Sequence, residues 1–174
     1  MGRGLRNVVA ALQVVAMVGG LIVALPVTAQ AATFVVNRFD DVADANVGDG
    51  NCDVDAVTED DQCTLRAAVQ ESEAIAGADS ISVPAGTFRL TIPDTEGGPP
   101  NPANGDLDIS QPVSISGASA ATTLIDGGNR TLLGTSNPCS DLASPLNDRL
   151  FEIESGGTAN LSDLALLGGD PGIA

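Results

Sequence analysis

Histidine, lysine, tryptophan and tyrosine are all absent from the 174 residues, and phenylalanine occurs only four times. Without histidine there is no ordinary base for a serine nucleophile, so Ser119 in "GASA", which also lacks the flanks of a nucleophile elbow, is not read as catalytic. Without lysine, seven arginines face 23 acidic residues and the net charge is −16. A chain this acidic, with no basic patch, is repelled by nucleic acid and anionic lipid headgroups, and cations are its natural counterparts. The scarcity of aromatic side chains argues against a β-sandwich, whose core usually draws on them.

One long apolar run is present, from Val8 to Leu25, after Arg3 and Arg6 and before Ala29-Gln30-Ala31. This order is that of a secretory signal cleaved after Ala31. Gln13 and Gly19-Gly20 weaken the competing reading, a retained membrane anchor. No later run is long enough to span a bilayer. The chain is therefore expected to be exported, as a secreted or cell-surface protein, in the periplasm or outer membrane if the cell is Gram-negative. Taking 31 leader residues from 174 leaves 143, the size of one domain. These keep all 23 acidic residues but only five of the seven basic ones, for a net charge of −18.

Three cysteines follow the leader. In an oxidising compartment Cys52 and Cys63, separated by a polar acidic segment, are expected to form a local disulfide. Cys139 is then left either free or paired between chains.

"TFVV" (33–36) reads as a first strand. The acidic loop up to Cys63 is too charged and glycine-punctuated to pack a core. In "CTLRAAVQESEAIAG" (63–77), Leu65, Ala68, Val69, Ser72 and Ile75/Ala76 fall on one stripe of a helix, with Thr64 as N-cap and Gly77 as a left-handed C-cap. Beyond it lie short alternating segments. Leu107 and Ile109 point one way and Asp106 and Asp108 the other, and Phe151 and Ile153 alternate likewise with Glu152 and Glu154, which predicts one buried and one wet face. Pro/Gly/Asn-rich inserts at 93–105 and 134–148 interrupt the segments, which otherwise recur at roughly 20 to 25 residues. Narrow stacked coils with Val, Ile and Leu inside and Gly at the corners suit this composition.

"CTLRAAVQE" (63–71), preceded by "DANVGDGNC" and followed by "AGADSISVPAGTFRLTI", resembles the CSLREA-type N-terminal module of bacterial secreted and surface proteins. "GDLDI", "LIDGG" and "LFEIESGGTANLSDLALLGG" resemble the first coils that follow that module. The resemblance implies a mainly β fold, a right-handed parallel β-helix of about three coils with an N-terminal capping α-helix. Its architecture is related to polymorphic outer-membrane protein and autotransporter passenger repeats. The expected organisation is a signal peptide at 1–31, a capping module at 32–78 and, at 79–174, the first coils of a truncated member. The family pattern places Glu three residues after the N-cap, where this chain has Ala67, so the reciprocal bond of a capping box is missing. The resemblance implies location and architecture but no reaction.

Asp49, Asn51, Asp53 and Asp55 occupy alternate positions, with Asp60 eleven residues after Asp49, a spacing like that of oxygen-ligand calcium loops. Val54 stands where an EF-hand needs Gly, no Glu closes the loop, and Cys52 lies inside it. The competing reading is a solvated acidic loop closed by the disulfide; apart from calcium, no cofactor is expected. Asp106, Asp108, Glu152 and Glu154 would stack on one outward face, where paired carboxylates serve acid–base chemistry on glycosidic bonds, although outward positions of a soluble sheet are polar anyway. Arg66 is expected to bond an acidic-loop carbonyl or carboxylate. Asn129 and Asn160 head glycosylation sequons. These features lead to a secreted or cell-surface scaffold, structural or adhesive and without catalytic activity, whose partners would be a polysaccharide or cell-surface component. The alternatives are a carbohydrate-active β-helix enzyme (polysaccharide lyase or glycosidase) and a calcium-stabilised binding module. The helix would lay Leu65, Val69 and Ile75 over the first open end of the coils, and further coils or a partner would cover the last.

Overall fold

Parallel strands cannot be joined by a tight hairpin, so a chain of short parallel strands has to travel around before it pairs with itself. The structure, a computed structural model, describes residues 29–57, 62–93, 101–128, 146 and 149–169 and has this character throughout. The described elements are β1 (Thr33–Val35), α1 (Leu65–Ala74), β2 (Asp79–Val83), β3 (Gly86–Arg89), β4 (Leu107–Ile109), β5 (Pro112–Gly117), β6 (Thr123–Asp126), β7 (Phe151–Ile153), β8 (Thr158–Ser162) and β9 (Ala165–Leu167). All pairings are parallel, in three sheets ordered β1-β2-β5-β8, β3-β6-β9 and β4-β7. From β2 onward the chain lays one strand in each sheet and then returns beside its own predecessor, while β1 is joined to β2 through the loop and α1.

Register stacks like on like. Phe34, Ile81, Ile115 and Leu161 form one inward column, Phe88, Ile125 and Leu166 a second, and Ile109 and Ile153 a third. Ile81, Ile115, Ile125 and Ile109 are buried. The opposite face of the first sheet carries Ser80, Ser82, Ser114 and Ser116, all exposed, in the alternation expected of a half-buried sheet. Successive coils lie so close at Gly117 that an added Cβ would stand 2.2 Å from the Asp163 carbonyl oxygen. Only glycine fits there.

At the first end, α1 packs on β2 and β4. Thr64 caps it, its hydroxyl accepting from Ala67 N at 3.0 Å and donating to Val42 O at 2.6 Å. The helix ends at Ala74 and not at Gly77. Ile75 is already extended and its N–H closes the last turn on Glu71 O. Gly77 serves close approach instead of a left-handed cap: a Cβ there would lie 2.7 Å from Gln30 O.

The single apolar stripe also needs correction, because Leu65 through Ser72 are all buried. One side lies on the coils and the other beneath the acidic loop. Cys52 and Cys63 meet at disulfide-bonding distance, and Cys52 is the only buried apolar residue between 40 and 57. The loop packs no core of its own and hangs on that anchor and on hydrogen bonds. At the other end the pattern reverses: Ile153, Leu161 and Leu166 are 48%, 37% and 45% exposed because no described strand lies beyond them. Phe151 and Ile153 hold inward positions without the burial that alternation predicted. Cys139, Asp60 and Asn129 lie outside the described residues, while Asn160 is exposed on β8.

Val69 is fully buried between coils and loop. Val69→Asp is expected to cost about 3 kcal/mol or more by placing an unpaired charge there. A thermal melt of the oxidised protein checks this, and a normal Tm with normal solubility would reject α1 as the seal.

Candidate functional site

Acidic side chains gather in two places, and their partners distinguish them. Over α1, the carboxylates predicted as calcium ligands are engaged in turns. Asp49 accepts from Asn51 N at 2.8 Å, Asp53 from Asp55 N at 2.9 Å and Asp55 from Val57 N at 2.9 Å. A carboxylate bonding the backbone two residues on is an Asx turn, which also favours aspartate at alternate positions. Asn51 donates its side-chain amide to Asp49 at 3.2 Å.

Below them lie two deeper carboxylates. Glu71, on the buried helix, accepts from Gly48 N at 2.6 Å and Gly50 N at 2.9 Å. Asp44 accepts from Asn46 N at 2.8 Å and Asp53 N at 2.9 Å. Burial pushes both above the ordinary carboxylate range, outweighing the backbone donors, and neighbouring Asp49 adds to the shift of each. A carboxylate whose folded pKa is raised binds protons more readily in the folded state, so its contribution to stability grows as pH falls through that pKa. The Tm should therefore rise on acidification from neutral toward the ordinary carboxylate range. Glu71→Gln should flatten part of that rise; the same pH slope in wild type and variant would exclude Glu71 as a source.

The second gathering is on the third sheet. Register places Asp108 beside Glu152, and Asp106 joins them so that carboxylate oxygens of all three lie within 4.8 Å of one another. Among the described residues this is the one acidic group with such convergence. The predicted wet face is not found: Asp106 and Asp108 are each only 6% exposed. Asn101 N donates to Asp108 Oδ2 at 2.6 Å, which lays the end of the first insert over the strand. Glu154, the fourth expected member, is outside the group, and its N–H bonds Ile109 O at 2.8 Å.

Arg149, to which no role was given from sequence, supplies the counter-charge. Its nitrogens reach Glu152 Oε1 and Oε2 at 2.9 Å each and Asp106 Oδ2 at 3.4 Å. Three carboxylates offer a hard cation oxygen ligands, but one guanidinium already occupies the counter-ion position. Acid–base work on a polymer needs two carboxylates flanking an accessible bond, and two of these three are covered.

Arg66 behaves as expected of an ion-pairing residue, and more completely. Its Nε and Nη2 contact the Asp41 carboxylate at 2.6 and 3.1 Å, Nη1 donates to Pro102 O at 2.8 Å and Nη2 to Gly105 O at 2.9 Å. Asp41 also accepts from Thr91 N and Ile92 N at 2.6 and 2.9 Å. One buried pair thus joins the loop, the helix, the end of β3 and the insert above the carboxylate group. Beyond the group, the last described coil opens into an apolar depression of about 540 Å³ lined by Phe151, Ile153, Leu161 and Leu166 among others.

Comparison with protein-family models, with curated proteins and with solved structures finds no match to this chain.

Arg149→Gln is expected to lower stability by about 1 kcal/mol, since the arginine is half exposed and its pairs are partly screened. The loss should shrink at high salt in chemical denaturation. A salt-independent loss would mean that Arg149 acts through packing.

Proposed function

We propose that this chain is an exported, cell-surface scaffold: a self-sealed beginning of a right-handed parallel β-helix, with no catalytic role. The observation that carries this reading is the contrast between the two ends. The first is closed by a helix, a disulfide-anchored loop and a fully bonded ion pair, while the last described coil presents Ile153, Leu161 and Leu166 in register with the buried columns. A stack sealed at one end and apolar at the other suits a module joined to more of the same, which is how coil-built scaffolds gain length. The CSLREA-type resemblance, the leader pattern and the local disulfide support the same reading.

The enzyme alternative has less support, because two of the three converging carboxylates are covered and Arg149 pairs with Asp106 and Glu152. Incubation with acidic and neutral polysaccharides should release no new reducing ends or unsaturated products, and release of either would favour the enzyme. The scaffold reading predicts that the oxidised protein associates with rising concentration in light scattering. A Leu161→Asp, Leu166→Asp pair should keep it monomeric with little change in Tm. A wild-type monomer at all concentrations would count against an end built for joining.

A further inference from the structure

In β2 the inward positions are Asp79, Ile81 and Val83, and all three are buried, at 1% exposure each. Asp79 therefore occupies a core position, opposite Val113 on β5, where the alternation calls for an aliphatic residue. A carboxylate there is costly unless paired and fully bonded. Only half of it is bonded: Oδ1 accepts from the Ala32 backbone N–H at 2.7 Å, while Oδ2 is buried without a hydrogen-bond partner. The described arginines pair elsewhere, with Asp40, Asp41, Asp126 and the Asp106/Glu152 group, and the chain has no lysine or histidine.

The atom bonded to Asp79 is the nitrogen that cleavage after Ala31 would free. We propose that Asp79 is the receptor for the processed N-terminus: removal of the leader turns the Ala32 amide into an ammonium that forms a buried ion pair with the Asp79 carboxylate and locks the first strand in place. This rests on the reading of Ala31 as the cleavage site. Hydrolysis by an endopeptidase of the export machinery consumes one water; Ala31 leaves with the new carboxylate, and the Ala32 nitrogen keeps the chain and takes up protons to become the ammonium. The single amide N–H becomes three donors and a positive charge, enough for both carboxylate oxygens.

The surroundings fit this step. Ala29, Gln30 and Ala31 are exposed, whereas Ala32 is partly buried against the core. Its carbonyl already accepts from Ser80 N at 3.0 Å, so the residue is held in the ladder independently of what precedes it. A Cβ on Gly77 would stand 3.1 Å from Asp79 Oδ1, so the absent side chain leaves the carboxylate room.

The test uses the full chain with a specific protease site in place of residues 26–31, so that cutting frees the Ala32 amine. Cutting should raise Tm by about 5–10 °C, the shift expected for completing a buried ion pair in a chain this size, and should slow exchange of the Ser80 amide. Because the chain lacks lysine, the Ala32 amine is the only amine of the purified cut protein, and its acetylation should abolish the gain, as should Asp79→Asn. An unchanged Tm on cutting, or a gain that survives both acetylation and Asp79→Asn, would overturn the ion pair. Processing in the cell is read separately from the mass of the natural product, where an intact leader would end the cleavage reading without touching the result in vitro.

Discussion

A column of inward-facing aliphatic side chains has no end of its own. Each coil buries its predecessor, so the first and last layers expose apolar surface and unpaired strand edges unless something different covers them. The described structure answers this at one end with α1, and the helix is held by Arg66. A ten-residue helix is marginal by itself, and this one has no acidic residue in its first turn and no basic residue in its last. Its position is set by tertiary contacts: Leu65, Ala68 and Val69 against the coils, and a guanidinium that bonds the loop above and the insert beside it.

The use of an ion pair there, and not an apolar contact, follows from what has to be joined. Replacing a buried pair by well-packed apolar residues often leaves stability unchanged or improved, so stability alone is a weak reason for it. Arg66 and Asp41 instead satisfy backbone groups that close packing would strand: the carbonyls of Pro102 and Gly105, and the N–H groups of Thr91 and Ile92. Three irregular segments meet without orphaned donors. Glu73 serves similarly at the far side of the helix, accepting from Ser110 N at 2.8 Å, from the Ser110 hydroxyl and from Gln111 N at 3.2 Å. The carboxylates of this acidic chain thus act locally as acceptors for backbone that leaves a regular ladder.

That use explains which parts of the structure could be read from residues alone. Alternation in "SISV" and "DLDI" is a backbone property and correctly predicted strands, while Thr64 was recognisable as a cap because its hydroxyl acts within one turn. The pairing of Cys52 with Cys63 needed only nearness. What covers an outward face is a different matter. Asp106 and Asp108 alternate with Leu107 and Ile109, as expected, yet are buried because residues 101–105 fold back over them, a contact that no periodicity encodes. Aspartates at every second position are equally what a ligand loop and a run of Asx turns require, so Asp49, Asp53 and Asp55 could not be assigned from spacing. Arg149 stands three residues before Glu152, but its second partner, Asp106, comes from the preceding coil, so the group it joins has no signature in local spacing. Asp79 did carry a signal, an acidic residue in phase with Ile81 and Val83, but phase is informative only once the inward face is known.

The two devices at the first end share a condition. The disulfide needs an oxidising compartment, and the proposed Asp79 pair needs the leader gone; under the export reading neither is met before the chain leaves the cytoplasm. Until then the acidic loop lacks its only buried apolar anchor, and the core of β2 holds a carboxylate with one oxygen unbonded. Under the same reading an unfinished seal is an advantage, because a stack that closed early would resist translocation. On that reading the position of Asp79 in a core column, unfavourable when judged on packing alone, leaves the fold to be completed after export.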